Sequence, residues 1–210
     1  MTRAARPAAP APVTVPVVTA LRARGPGRVS VELDGRPWRI LPLEAVYAGR
    51  LAVGSGLDRP SARALGRELR RLEARGVALR ALRARDHTAA SLEQRLAERG
   101  TAAAVRRETI AAAQRSGLVD DRRFAAGRAA ALAARGSGDL LIADDLERHG
   151  VAADVARAAI EGLEPEAARA ASIIATRGAS PRTARYLAGR GFSETTLEPL
   201  VADLVADALG

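Results

Sequence analysis

Apolar and polar residues alternate along Arg28-Val29-Ser30-Val31-Glu32-Leu33, the two-residue period of a strand with one buried face. Asp34-Gly35 follows, a dipeptide suited to the left-handed backbone of a type I′ turn, and Trp38-Arg39-Ile40-Leu41 can return as the partner strand. A hairpin alone is marginal in water. A third strand between Val15 and Ala23, where Val13 to Leu21 is rich in β-branched residues, or a helix must therefore cover one face. Leu43 to Tyr47 reads as a short helix and leads into a Gly-rich turn through Gly54 and Gly56. From Asp58 the period lengthens. Asp58-Arg59-Pro60-Ser61 offers cap and first-turn residues for a helix with Leu65, Leu69 and Leu72 on one stripe, and Arg63, Arg67, Arg70, Arg71 and Arg75 around the rest. That helix is expected to end near Gly76, or to resume beyond it through Leu79 and Leu82.

Beyond residue 78 the pattern repeats. Aligning Leu96-Ala97-Glu98-Arg99-Gly100, Leu146-Glu147-Arg148-His149-Gly150 and Leu187-Ala188-Gly189-Arg190-Gly191 brings Ile110, Ile160 and Val201 into register after the glycine. The same alignment superposes Thr101, Val151 and Phe192, and, before the glycine, Arg85, Arg135 and Arg177. Three residues after each of those arginines comes an acceptable N-cap: Thr88, Gly138 or Ser180. Each unit reads as helix, capped helix, glycine stop, helix, with a middle helix of about 11 residues, roughly 16 Å long. Units of this size bury little alone and should stack on their neighbours.

The corner between the first two units is Gly117-Leu118-Val119-Asp120-Asp121-Arg122-Arg123-Phe124-Ala125. Gly117 suits the left-handed residue that closes a helix, Asp120 or Asp121 can cap the next one, and Phe124 shares a face with Arg128 and Leu132. The chain thus divides into a disordered Ala/Pro-rich tail (1–14), a β-hairpin region (15–57), a basic linking helix (58–77) and three helical repeats (78–119, 120–163 and 164–210). The fold class is mainly α: tandem three-helix repeats in an elongated array, with a small N-terminal hairpin or three-strand element.

Composition narrows the chemistry. Aromatic residues are only 2% of the chain, so alanine must fill much of the interior, which suits closely packed helices. All 33 basic residues are arginine. They are unevenly spread, with 17 arginines against 6 acids in residues 1–85 and 16 against 18 thereafter, the footprint of a polyanion contact or of a solvated basic face. Arg67, Arg70, Arg71 and Arg75 are the candidate contacts, followed by Arg80, Arg83 and Arg85.

Without cysteine there is no disulfide, thiolate metal site or thiol nucleophile. Gly54-Ser55-Gly56 is too short for a nucleotide loop, and a Walker motif has no lysine to use. His87 and His149 fall at a turn and a helix end and are expected in surface or capping roles; Asp120-Asp121 and Asp144-Asp145 are expected to be caps or solvated acids. Trp38, Phe124 and Phe192 are read as core anchors rather than base-stacking platforms. No catalytic residue, metal or cofactor is expected. The chain reads as a cytoplasmic monomer with neither a membrane span nor a signal-peptide core.

Three segments together resemble the RecX family, regulators of the bacterial recombinase RecA: the stretch 117–125, Leu92 to Gly100 after Arg85, and Arg190-Gly191-Phe192-Ser193 after Tyr186-Leu187. With the Asp34-Gly35 hairpin, the likeness covers roughly residues 17–205. It makes Gly100, Gly117, Asp121, Phe124, Gly150, Gly191 and Phe192 the structural motif positions. It implies a repeat array lying along the groove of a RecA filament on single-stranded DNA and limiting its ATPase, strand-exchange and co-protease activities. DNA itself, single-stranded and further double-stranded, would be a second partner. The sequence departs from the family in one place: the middle helix of the second repeat, usually basic, here carries Asp139, Asp144 and Asp145 with only Arg148. The competing reading is a stand-alone DNA-binding protein of helix-turn-helix-like units.

Overall fold

The computed structural model describes residues 14–209, the side chains of Leu200 and of residues 203–209 excepted. Of the expected tail, residues 1–13 lie outside them. The chain is mainly helical with a three-stranded antiparallel sheet, and it separates into two compact units, the first reaching Glu73 and the second starting at Ala74.

The first unit is built on β1 (Val18–Ala23), β2 (Arg28–Leu33) and β3 (Arg36–Pro42), in that order across the sheet. Asp34 and Gly35 take φ of +50° and +75°, the two left-handed residues that a type I′ turn requires. The turn is tied down further: Asp34 Oδ1 accepts from Val17 N at 2.9 Å, and Gly35 N donates to Thr19 Oγ1 at 2.9 Å. Val18, Val29, Val31 and Leu41 form the inner face of the sheet. They pack on Ala45 and Val46 of α1 (Leu43–Ala48), on Leu51 and Leu57, and on Leu65 of α2 (Arg59–Ala84).

Trp38 does not join this core. The strand period that turns Leu41 inward turns Trp38 and Ile40 outward, where they remain 36% and 51% exposed. The Arg39 guanidinium lies over the indole at 5.7 Å.

Helix α2 starts where the cap residues place it, with Ser61 N donating to Asp58 Oδ1 at 2.8 Å. It does not stop at Gly76. A glycine inside a helix costs only about 1 kcal/mol, and here no proline or cap accompanies it, while Ala74, Ala78 and Ala81 bury a continuous stripe across the position.

The second unit holds three apolar clusters in succession along the chain. The first joins the end of α2 to Leu92 and Leu96 of α3 (Ala89–Glu98), Ala113 of α4 (Ala103–Arg115), and Val119. The next joins Ala125 and Ala129 of α5 (Asp121–Ala134), Ile142 and Leu146 of α6 (Asp139–Arg148), and Ala156 of α7 (Ala153–Glu161). The last joins Ala170 of α8 (Glu166–Arg177), Leu187 of α9 (Pro181–Gly189), Phe192, and Leu197 of α10 (Glu194–Leu209). Thr88 and Ser180 cap α3 and α9 with their hydroxyls, whereas Gly138 begins α6 without a side chain.

Equivalent residues meet at successive junctions. Thr88 Oγ1, at the start of α3, donates to His149 O at the end of α6, at 2.6 Å. At the start of α6, Gly138 N donates to Arg190 O at 2.8 Å and Leu140 N to Gly191 O at 3.0 Å, both at the end of α9. The glycines are required here twice over. Gly150 and Gly191 have φ of +71° and +80°, and a Cβ on them would fall 2.4 Å from Ala90 Cβ and 2.6 Å from Leu141 Cβ.

A second device also recurs. The first residue of α5, Asp121, accepts from Ala89 N at 2.8 Å, and the first residue of α8, Glu166, accepts from Asp139 N at 2.6 Å. Asp121 therefore caps α3 and not its own helix, whose first turn is closed by Asp120 through Arg123 N at 3.0 Å.

Candidate nucleic-acid interface

In the first unit the apolar stripe of α2 faces the sheet, which leaves its arginines outside. Arg63, Arg67 and Arg70 line a shallow hollow beside Gly66, where the missing side chain lets the Arg70 guanidinium lie back along the helix. Arg71, also exposed, turns to Glu68 at 3.6 Å.

In the second unit Arg75, Arg80, Arg83 and Arg85 are all exposed. Arg80 and Arg85 converge with His87, Arg95 and Arg99 on a cavity of about 260 Å³. Arg75 and Arg83 line neither concavity. Sequence spacing singled out neither Arg95 nor Arg99; they lie one turn apart at the end of α3, and only the packing of α3 against α2 brings them to Arg80. His87 is buried rather than superficial, 7% exposed, with Nδ1 3.0 Å from Ser91 Oγ.

The motif residues hold the architecture. Gly100 and Gly117 close α3 and α4 with φ of +70° and +69°. Phe124 is half-buried and packs its ring against His149 at 5.5 Å, and Phe192 is buried with the Arg169 guanidinium over its ring at 5.9 Å.

The acids of α6 are matched within the protein. Arg128 reaches Asp145 with two parallel bonds of 2.7 and 2.9 Å, and this hydrogen-bonded guanidinium holds the buried carboxyl below its ordinary range. Asp145 is therefore a buried ion-pair partner, not a solvated acid. Asp144 pairs with Arg148 at 2.8 Å, and Asp139 with Arg169. Burial, and then the charge of Glu166, raise the Asp139 carboxyl. Burial would raise Glu166 too, but hydrogen bonds from Ser193, Asp139 N and Thr196 outweigh it and hold that carboxyl low. Among the described residues, no group of three His, Asp or Glu side chains is placed to hold a metal ion, and no helix is long and apolar enough to cross a membrane.

No protein-family model matches the chain. The regulatory protein RecX of Halorhodospira halophila is 35% identical over 129 residues, 57% of this chain and 80% of that protein. The chain belongs to the RecX family. The RecX protein of Mycobacterium leprae is 33% identical over 150 residues, covering 64% of this chain and 88% of its own. A RecX crystal structure matches in fold with a TM-score of 0.73 at 19% identity, over 90% of this chain and 100% of that one. RecX from Lactobacillus salivarius matches with a TM-score of 0.56 at 15% identity, over 65% and 97%. The relatives' shared description makes this a RecX regulatory protein.

Proposed function

We propose that this RecX protein is a non-enzymatic, cytoplasmic regulator that acts as a monomer on the RecA filament assembled on single-stranded DNA, lowering its ATPase, strand-exchange and co-protease activities. Residues 78–119, 120–163 and 164–210 act as three repeats, with 58–77 as the basic helix joining them to the N-terminal region 15–57. Family membership supports the partner. The observation that carries the contact chemistry is the set of exposed arginines on and just after α2. Among the described residues Arg67, Arg70, Arg75, Arg80, Arg83 and Arg85 have no ion-pair partner, whereas the acids of α6 already have theirs. Unpaired guanidiniums are what a phosphate backbone or an acidic protein surface would engage.

The test is RecA ATPase on saturating single-stranded DNA. Inhibition should persist when spare single-stranded DNA is added. Relief in proportion to the spare DNA would replace this reading with that of a stand-alone DNA-binding protein competing for the strand.

A further inference from the structure

The cavity at the start of the second unit gathers four guanidiniums and a histidine from α2, α3 and the connection between them, beside a small apolar floor. Val77, Arg80, Ala81 and Ala84 lie on one face of α2, and the alanines leave the floor open. Arg85 and His87 come from the connection to α3, Arg95 from its last turn, and Arg99 from its C-cap. No acid lines the cavity, and among the described residues none of the four guanidiniums has an ion-pair partner. Four like charges around one concavity repel each other, and an anion supplied from outside removes that cost.

The histidine makes the site more than a basic patch. His87 is buried, yet its Nε2 has no partner among the described residues and the residue lines the cavity. His87 Nδ1 lies 3.0 Å from Ser91 Oγ, whose hydroxyl also reaches Thr88 O at 3.2 Å, so either ring nitrogen can carry the proton of the neutral ring. In the charged ring both nitrogens donate, and Nε2 is the one without a partner among the described residues. Burial, with Arg85 and Arg95 beside it, holds the imidazole below its ordinary range against the opposing charge of Asp86; Arg80 and Arg99 are the other charged residues lining the cavity.

We propose that this cavity binds a phosphate group, held by Arg80, Arg85, Arg95 and Arg99, with the His87 ring taking up a proton as the anion enters. Planar guanidiniums match phosphate oxygens two at a time, and a concavity of about 260 Å³ has room for a phosphate group. The phosphate is that of a single-stranded DNA backbone or of a nucleotide tail, which present the same oxygens. The site stands independently of any action on RecA.

The experiment uses the full chain with isotopically labelled histidine. Only His87 and His149 report; His149 does not line the cavity, although its carbonyl accepts from Thr88 beside His87, and its ring is the comparison. Inorganic tripolyphosphate and oligothymidylate are titrated in separately. Either probe should move the His87 ring signals and raise the pH midpoint of their titration while leaving His149 in place. The double variant Arg95→Ala/Arg99→Ala should bind ~10-fold more weakly or worse, with a melting temperature no lower than the parent's, because both side chains are exposed and their mutual repulsion is removed. Response to oligothymidylate alone assigns the site to the strand, and response to tripolyphosphate alone assigns it to a nucleotide. The proposal falls if His87 and His149 shift together, if the His87 midpoint stays fixed while the probe binds, or if the double variant binds as tightly as the parent.

Discussion

Two aromatic residues with similar sequence credentials differ in what they hold. Phe192 is 3% exposed in the last apolar cluster, whereas Trp38 stands outward on a sheet covered on one face only. Phe192→Ala should therefore cost about 3–5 kcal/mol in denaturant unfolding, and Trp38→Ala less than about 1 kcal/mol; equal costs would mean the sheet's outer face is covered. Asp145 makes a pH-dependent prediction. Its carboxyl is held low by Arg128 in the folded chain, so the pair's contribution is fully present above the ordinary carboxylate range and disappears as pH falls through the depressed value. Asp145→Asn should destabilise by about 1.5–3 kcal/mol at neutral pH, and the gap to the parent should close in acid. A gap that persists undiminished below pH ~2 would assign the loss to packing rather than to charge.

At the scale of the element, most of the helix ends were legible because their chemistry is local. Thr88 and Ser180 cap through their own hydroxyls, and Gly100, Gly117, Gly150 and Gly191 stop helices with a left-handed residue. What sequence spacing cannot show is a cap donated from elsewhere. Asp121 looks like a cap for the helix it begins, and only the meeting of the starts of α5 and α3 gives it Ala89 N. Arg95 and Arg99 were missed, and His87 was read as a surface or capping residue, for the same reason, since the cavity they line exists only once α3 lies against α2. The junction glycines and the helix-interior glycines should consequently respond in opposite ways. Gly191→Ala combines a positive φ with a Cβ 2.6 Å from Leu141 and should destabilise strongly, by more than about 2 kcal/mol. In Gly127→Ala, inside α5, the new methyl meets nothing within 4 Å, so it should stabilise by about 0.5–1 kcal/mol. Thermal melts of the two variants decide whether the glycine stops are held by the neighbouring helix or merely by their own turn.

For the whole molecule, the question is which charges remain available to a partner. The excess of arginine lies in residues 1–85, and the acids of α6, which looked like a departure from a basic family surface, are matched to Arg128, Arg148 and Arg169. An acid already paired neither attracts a cation from a partner nor strongly repels phosphate, so binding should be governed by the unpaired set on α2. Of these, Arg67 and Arg70 sit together beside Gly66, whereas Arg71 leans on Glu68. If both contact the strand, Arg67→Ala/Arg70→Ala should flatten the slope of log affinity against log salt for single-stranded DNA by about 1.4, the release of two counterions at roughly 0.7 each. Asp144→Ala, which frees Arg148 from its 2.8 Å partner, should steepen the same slope only if α6 also faces the strand. An unchanged slope in the double variant would remove that face of α2 from the interface and leave the arginines of the second unit to carry binding.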